Sequence, residues 1–336
     1  MMNRLSKRPF KSLDDQIKVL ETRGLTITDP DSTKELLLNN NYYNVINGYK
    51  DPFLKKDTLG QVVKPEVFIT NALFDELFSV YIMDSKLRSI LLEYLLLIEV
   101  KLKSIVAYEF AKYHSEPYAY LDIHSYRDDK KSFNLVLNNL NSLSRRLKNG
   151  SSSWNGLDYI KHYVKQYDHV PIWVLINSMT FGEVQHFFDS LEDKVKQSIA
   201  KDFSLHFKKR WSSTQKIDIT ELKATIQAAN FFRNKCAHDE RLYTFKVKSR
   251  LKLSLFNKFF ISNPIFSNTD NNKTDLFTMI SMMALLLTPE HFEQMISSIK
   301  LTFSDLERAL VNVKLEAILN LMGFPNNWES SLQIQS

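Results

Sequence analysis

One cysteine, seven glycines and nine prolines are all that 336 residues contain. The lone thiol, Cys236, can close no disulfide within the chain and build no cysteine-based zinc site, and it suits a reducing, cytoplasmic setting. So little glycine and proline fits long helices with short connections better than a barrel or sandwich. Long apolar runs are missing too. Of the two most apolar stretches, residues 89–100 are broken by Glu93 and Glu99, and residues 279–288 are about half a membrane span. Both are expected as buried helices rather than membrane spans. The basic start, MMNRLSKRPFKSLDD, has no apolar core, so it is not expected to be a secretory signal. There is no glycine-rich phosphate loop and no G-x-S-x-G elbow. His114, His124, His162 and His169 lack the tight spacing of a metal site, so neither a metal nor another cofactor is expected.

What is present is Leu, Lys, Asn, Ser and Phe in quantity, with a formal net charge of +6. Ser12, with Asp14 and Asp15 after it, predicts a capped helix that Gly24 ends. TKELLLNN predicts a second, followed by the aromatic run NYYNVINGYKDPF (41–53). From Glu66 to about His114, Leu87, Leu91, Tyr94, Leu95, Ile98, Leu102, Ile105 and Val106 recur at spacings of three and four, which predicts a long helix. The polar, Ser/Asn-rich stretch 127–157 reads as a surface insertion, part of it mobile. Pro171 opens an apolar helix, Gly182 separates it from the next, and a polar helix runs to about Phe207. Ile219–His238 forms another. Lys246, Lys248, Arg250 and Lys252 alternate with Val247, Ser249, Leu251 and Leu253, a period of two that fits a short extended segment. Residues 274–322 predict two or three closing helices, stopped by Gly323 and Pro325. The fold class expected is all-α. A central region, 65–260, has its insertion near 127–157, an N-terminal helical and aromatic region over 1–64 and a C-terminal helical region over 261–336.

The chemistry concentrates in ANFFRNKCAHDERLY (229–243). Arg233 and His238 are five apart, roughly 140° around an ideal helix, while Asn234 and His238 share nearly one face. Slight unwinding at the helix end would bring all three together. Arginine offers phosphate a planar fork of donors. Histidine can take a proton from a ribose 2′-hydroxyl or give one to a leaving oxygen. Asn234 can orient the imidazole or hold a phosphate oxygen. Against this stands a plain helix end with a capping histidine and a solvated arginine. Residues 231–260 hold eight basic side chains against two acidic ones, an excess equal to that of the whole chain. Lys235, Arg241, Lys246, Lys248, Arg250 and Lys252 are accordingly candidate RNA contacts, with a merely solvated face as the alternative. Tyr42, Tyr43, Tyr49 and Phe53 can stack on unpaired bases or belong to the core. Cys236 reads as a small packing residue.

PIWVLINSMTFGEVQHFFDSL (171–191) followed by FFRNKCAHDERLY (231–243) resembles the Abi family of phage-defence proteins, the AbiD/AbiF-like group. YYNVINGYKDPF (42–53), LLLIEVKLKSIVAYEFAKYH (95–114) and LMGFPNNW (321–328) resemble its N-terminal signature, first core helix and C-terminal ending. The RN-x-x-x-H form resembles the signature of HEPN ribonucleases. The resemblance implies an HEPN-like helical core with N- and C-terminal helical extensions and an abortive-infection toxin that cuts RNA without metal. It implies Arg233 and His238 as the active pair, Asn234 as their polar neighbour and Glu99 as a further residue near the motif. A small noncoding RNA that restrains the toxin, and a homodimeric active form, are also implied. Two rival readings stay open: a module that binds RNA without cutting it, and an interaction subunit regulated by a partner.

Overall fold

A computed structural model describes residues 10–152, 154–248, 253–261 and 273–335. Local chemistry sets the first helices. Ser12 accepts from the Asp15 amide and starts α1 (Leu13–Thr22), and Asp29 accepts from the Asp31 and Ser32 amides at the head of α2 (Pro30–Asn40). Such caps satisfy amides that the first helical turn leaves without partners. Tyr43–Asn47 then forms one wide turn, with Val45 and Ile46 buried.

The organising element is α3 (Phe74–Tyr113), 40 residues and so about 60 Å long. It begins later than the spacing of apolar residues predicts. Residues 66–73 instead form a loop with turns, bridging Phe68 to Leu54 and Leu73 to Thr26. The β-branched Val67, Ile69 and Thr70 fit this, since branched side chains favour the strand region.

The second departure is larger. Residues 133–150 form a helix, α4 (Phe133–Gly150), which packs on α7 (Phe181–Ser190) and buries Val136, Asn139 and Leu143. Arg146 grips Glu183 at the head of α7 with two bonds, at 3.0 and 2.6 Å. The surface insertion expected at 127–157 is therefore largely a docked amphipathic helix. It continues into α5 (Asp158–Tyr167) and the short α6 (Ile172–Leu175).

Next come α8 (Asp193–Trp211), α9 (Ile219–Ala237), and β1 (Val247–Lys248), which pairs antiparallel with β2 (Lys273–Thr274). The period-two segment is thus extended at Val247, buried, and Lys248, exposed, and helical again from α10 (Leu253–Phe259). The C-terminal region supplies α11 (Leu276–Met283), α12 (Pro289–Ala309) and α13 (Leu315–Leu321). After α13, Gly323 takes φ +89°, and a Cβ there would collide with the Asp275 carboxylate that caps α11. Only glycine suits that position. The architecture is all-α apart from this small ribbon. α12 lies along α3, with α9, α6 and α8 against its other sides, and one apolar core runs from Ile17 to Leu332. No helix among the described residues is long and apolar enough to cross a membrane.

Because α3 is wrapped on several sides, its buried charges serve as anchors. Glu76 accepts from the backbone amides of Asn312 and Val313, Asp84 holds the segment after α9, and Glu99 meets α9 itself. Buried carboxylates are tolerated when matched by donors.

Candidate functional site

The helix that carries the candidate residues is fixed at its head. Asp218 accepts from the Glu221 amide at 2.8 Å, and Glu221 accepts from the Asp218 amide at 2.9 Å. Lys258 of α10 pairs with the same Glu221. Removing this reciprocal cap by Asp218→Ala is expected to destabilise the protein by about 1 kcal/mol. Urea unfolding followed by circular dichroism measures it, and an unchanged midpoint would show that packing alone fixes the helix start. The inner face of α9 is Leu222, Ile226, Ala229, Phe232 and Cys236, all buried.

Arg233 leaves α9 on the side of α3. Its Nε lies 3.3 Å from Oε2 of Glu99, whose other oxygen pairs with Lys103 at 2.8 Å. The Arg233–Glu99 contact lacks hydrogen-bond alignment, so it is a Coulombic tether. The two terminal nitrogens of Arg233 bond to no described residue and remain a fork of donors on a half-buried side chain. Asn234 donates to Asn230 at 3.4 Å, and Asn230 to Gln185 of α7 at 3.0 Å. Its side chain is engaged there and not at the imidazole. Only the backbone links it to His238, whose amide donates to the Asn234 carbonyl.

His238 is the C-cap of α9, at φ −99°, ψ 13°, and Asp239 follows at φ +53°. The helix thus unwinds at His238, and the ring is exposed and bonds to no described residue. It borders a cleft of about 810 Å³ between the wide turn at 43–49 and the segment 235–246. Arg233 does not line that cleft. Within one chain, then, Arg233 meets Glu99, and His238 lines the cleft.

The segment after His238 is held by a buried network. Arg88 pairs with Asp84 at 2.7 Å and with Asp239 at 2.6 Å. Asp84 Oδ2 also accepts from the Tyr49 hydroxyl at 2.5 Å and the Leu242 amide at 3.0 Å. Burial pushes the Asp84 carboxyl up, against the lowering effect of these donors. Burial, then the Asp84 charge, pushes the Tyr49 phenol up. Tyr49 and Phe53 are therefore core residues, not base-stacking platforms, Tyr42 is half-buried, and only Tyr43 of the four is exposed. Asp84 and Arg88 were missed from sequence. The signal was there: both fall on the stripe of Leu87, Leu91 and Leu95, where a charge must find a buried partner.

Among the described residues, three cations of the basic segment have carboxylate partners. Lys235 is neutralised by Glu240 and lies over the Phe245 ring. Arg233 is tethered to Glu99 and Lys258 to Glu221. Arg241 donates to the Gly48 carbonyl at 2.7 Å and has no carboxylate partner among the described residues. Lys246 lines the cleft, and Lys248 is exposed on β1. Arg250 and Lys252 lie outside the described residues. The Cys236 thiol, buried behind the motif, is pushed up to about 12 by burial and then by the Asp84 charge. No group of three His, Cys, Asp or Glu side chains suited to a metal occurs among the described residues.

A family model described as Abi-like protein matches residues 35–244, more than half of the chain, from α2 through the segment that follows His238. No curated protein and no solved structure matches it.

Proposed function

The chain belongs to the Abi-like protein family, and from that premise we propose that it is an abortive-infection toxin, a metal-independent endoribonuclease that limits phage spread by cutting RNA. One observation carries the reading: the Arg233 guanidinium is tethered by one edge to buried Glu99, with its outer fork uncommitted. That is the arrangement in which arginine grips a phosphate with two parallel bonds. His238, exposed and without a bonding partner among the described residues, supplies the proton transfer.

In the proposed reaction the ribose 2′-oxygen attacks the adjacent phosphorus while a base takes the hydroxyl proton. The bond from phosphorus to the 5′-oxygen breaks, and an acid protonates that oxygen. The products are a 2′,3′-cyclic phosphate and a free 5′-hydroxyl. The step asks for both a base and an acid, and one chain has one His238. A homodimer supplies a second copy and sets it against the Arg233 of its partner. His238 has no proton-transfer partner among the described residues of its own chain, which favours such a composite site. A module that binds RNA without cutting would carry the same side chains, and cleavage by the dimer separates the two readings. A small noncoding RNA that occupies this surface would hold the toxin inactive.

The test is cleavage of an end-labelled single-stranded RNA by the purified chain in excess chelator, across a dilution series monitored by mass photometry. Expected are fragments ending in 2′,3′-cyclic phosphate, with specific activity that falls as dimer dissociates. Chelator-abolished cleavage would remove the metal-independent reading. Full activity in the monomer would remove the composite site. RNA binding by the dimer with no cleavage would leave the non-cutting module.

A further inference from the structure

The cleft beside His238 has features that proton transfer and phosphate binding do not use. Its 810 Å³ falls within the roughly 300–1,000 Å³ of small-ligand sites. Its two sides differ in chemistry. The turn at 43–49 contributes an aromatic ring and neutral amides, and the segment 235–246 contributes the imidazole and cations.

Tyr43 is 66% exposed in a run whose neighbours Val45, Ile46, Tyr49 and Phe53 are all buried. A lone exposed aromatic needs no explanation, but this one lines the cleft. Beside it, the Asn44 side chain bonds to no described residue, and Asn47 uses only its oxygen, for Lys50. Each amide thus has a donor to spare, and Asn44 an acceptor as well, the groups that read the edge of a base.

The charge of the opposite side sets the scale of the ligand. Lys235 is cancelled by Glu240, and Arg88 by Asp84 and Asp239. Arg241 and Lys246 have no carboxylate partner among the described residues, and Arg241 spends one donor on the Gly48 carbonyl. Arg241 and Lys246, with Lys273 also lining the cleft, suit one or two phosphates rather than a long backbone track. A ring, free amides and a short cationic edge, around one cleft that His238 also lines, match a single unpaired nucleotide.

We propose that this cleft is a subsite for one unpaired nucleotide of single-stranded RNA, with its base stacked on Tyr43, its edge against Asn44 and Asn47, and its phosphate toward Arg241 and Lys246. The inference rests on the reading of the motif as RNA-directed. Single-strandedness follows from the chemistry, because a paired base offers neither a free face nor its Watson–Crick edge. The subsite makes Tyr43 and the two asparagines determinants of which residue sits next to the cut.

The probes are a fluorescein-labelled oligouridylate and a blunt duplex RNA of equal length, titrated by anisotropy into the full chain with His238→Ala to stop cleavage. Tyr43→Ala is expected to weaken the single strand by about 5- to 150-fold, the range of one lost base–aromatic stack. Tyr43→Phe should keep the affinity, and duplex binding should not change. Tyr43 is exposed, so both variants are expected to fold, and circular dichroism confirms it. Unchanged single-strand affinity in Tyr43→Ala, or an equal loss for duplex and single strand, would overturn the subsite. Cleavage by the otherwise wild-type chain is read separately. Cutting without a Tyr43 effect sinks the subsite and spares the nuclease. A Tyr43 effect without cutting sinks the nuclease and spares the subsite.

Discussion

His238→Ala is expected to lower the rate of RNA cleavage by about 10²- to 10⁴-fold, the usual cost of removing a positioned acid–base group. Arg233→Ala should lose on the order of 10²- to 10³-fold, as when a donor is removed from a developing oxyanion. Arg233→Lys is not expected to restore it, because an ammonium cannot hold the Glu99 tether and present a planar fork together. The control lies between them in sequence. Cys236 is buried with its thiol pushed up to about 12, so at neutral pH it is protonated and poorly nucleophilic. Cys236→Ser should keep the rate once folded protein is equalised. Single-turnover cleavage on matched amounts of folded chain measures all four. Arg233→Ala and His238→Ala both cutting at the wild-type rate would place the active site elsewhere, and a dead Cys236→Ser would bring the thiol into the chemistry.

The helix that carries these residues was legible because every local rule agreed on it. Asp218 and Glu221 stand at capping-box spacing, the apolar positions recur at three and four, and the observed Ile219–Ala237 is one residue shorter than the span read from sequence. Helix α4 failed that reading because composition was weighed above period. Val136, Leu140, Leu143 and Leu147 keep the helical spacing, and Leu140 and Leu147 pack against the core that Val136 and Leu143 enter. The Asn and Ser residues between them made the stretch look like a loop. Residues 66–73 failed the other way, since an apolar run carries no record of whether its period is two or nearly four until the branched residues are given their weight.

Part of the charge excess of residues 231–260 is offset in space. A sum along the chain counts only the acids that are neighbours in sequence. Glu99 and Glu221 come from outside that window or from another element and take up Arg233 and Lys258. Among the described residues of the window, Arg241, Lys246 and Lys248 are left without a carboxylate partner. The same blindness hid Tyr49, which by sequence belongs to an aromatic run and in space is the hydroxyl donor to a buried carboxylate.

Arg88→Met is expected to destabilise the protein by about 3–5 kcal/mol, because it removes one partner of a buried pair and leaves the other charged and uncompensated. That is a large share of the roughly 5–15 kcal/mol a domain has. Asp84 is wholly buried, one of its oxygens already lacks a partner, and only the Tyr49 hydroxyl and the backbone after His238 would still serve it. The pH dependence has a definite sign. Burial already holds the folded-state pKa of Asp84 above its ordinary value, and loss of the guanidinium raises it further. Protonation then relieves the variant more than the wild type, so the deficit should shrink as pH falls through that raised pKa and be full above it. Urea unfolding of the full chain across pH reads both quantities. A deficit below about 1 kcal/mol at neutral pH would mean that the pair carries little of the fold. Replacing both partners, as Asp84→Leu with Arg88→Met, removes the stranded charge and should recover part of the stability. It should not recover cleavage. The Leu242 amide and Asp239 lose their anchors on α3 in the double variant, and the turn that sets His238 at the edge of its cleft loses the contacts that fix it. Regained stability with regained cleavage would show that the turn is held by its own backbone. Regained stability without cleavage would show that the buried charges are kept to place His238.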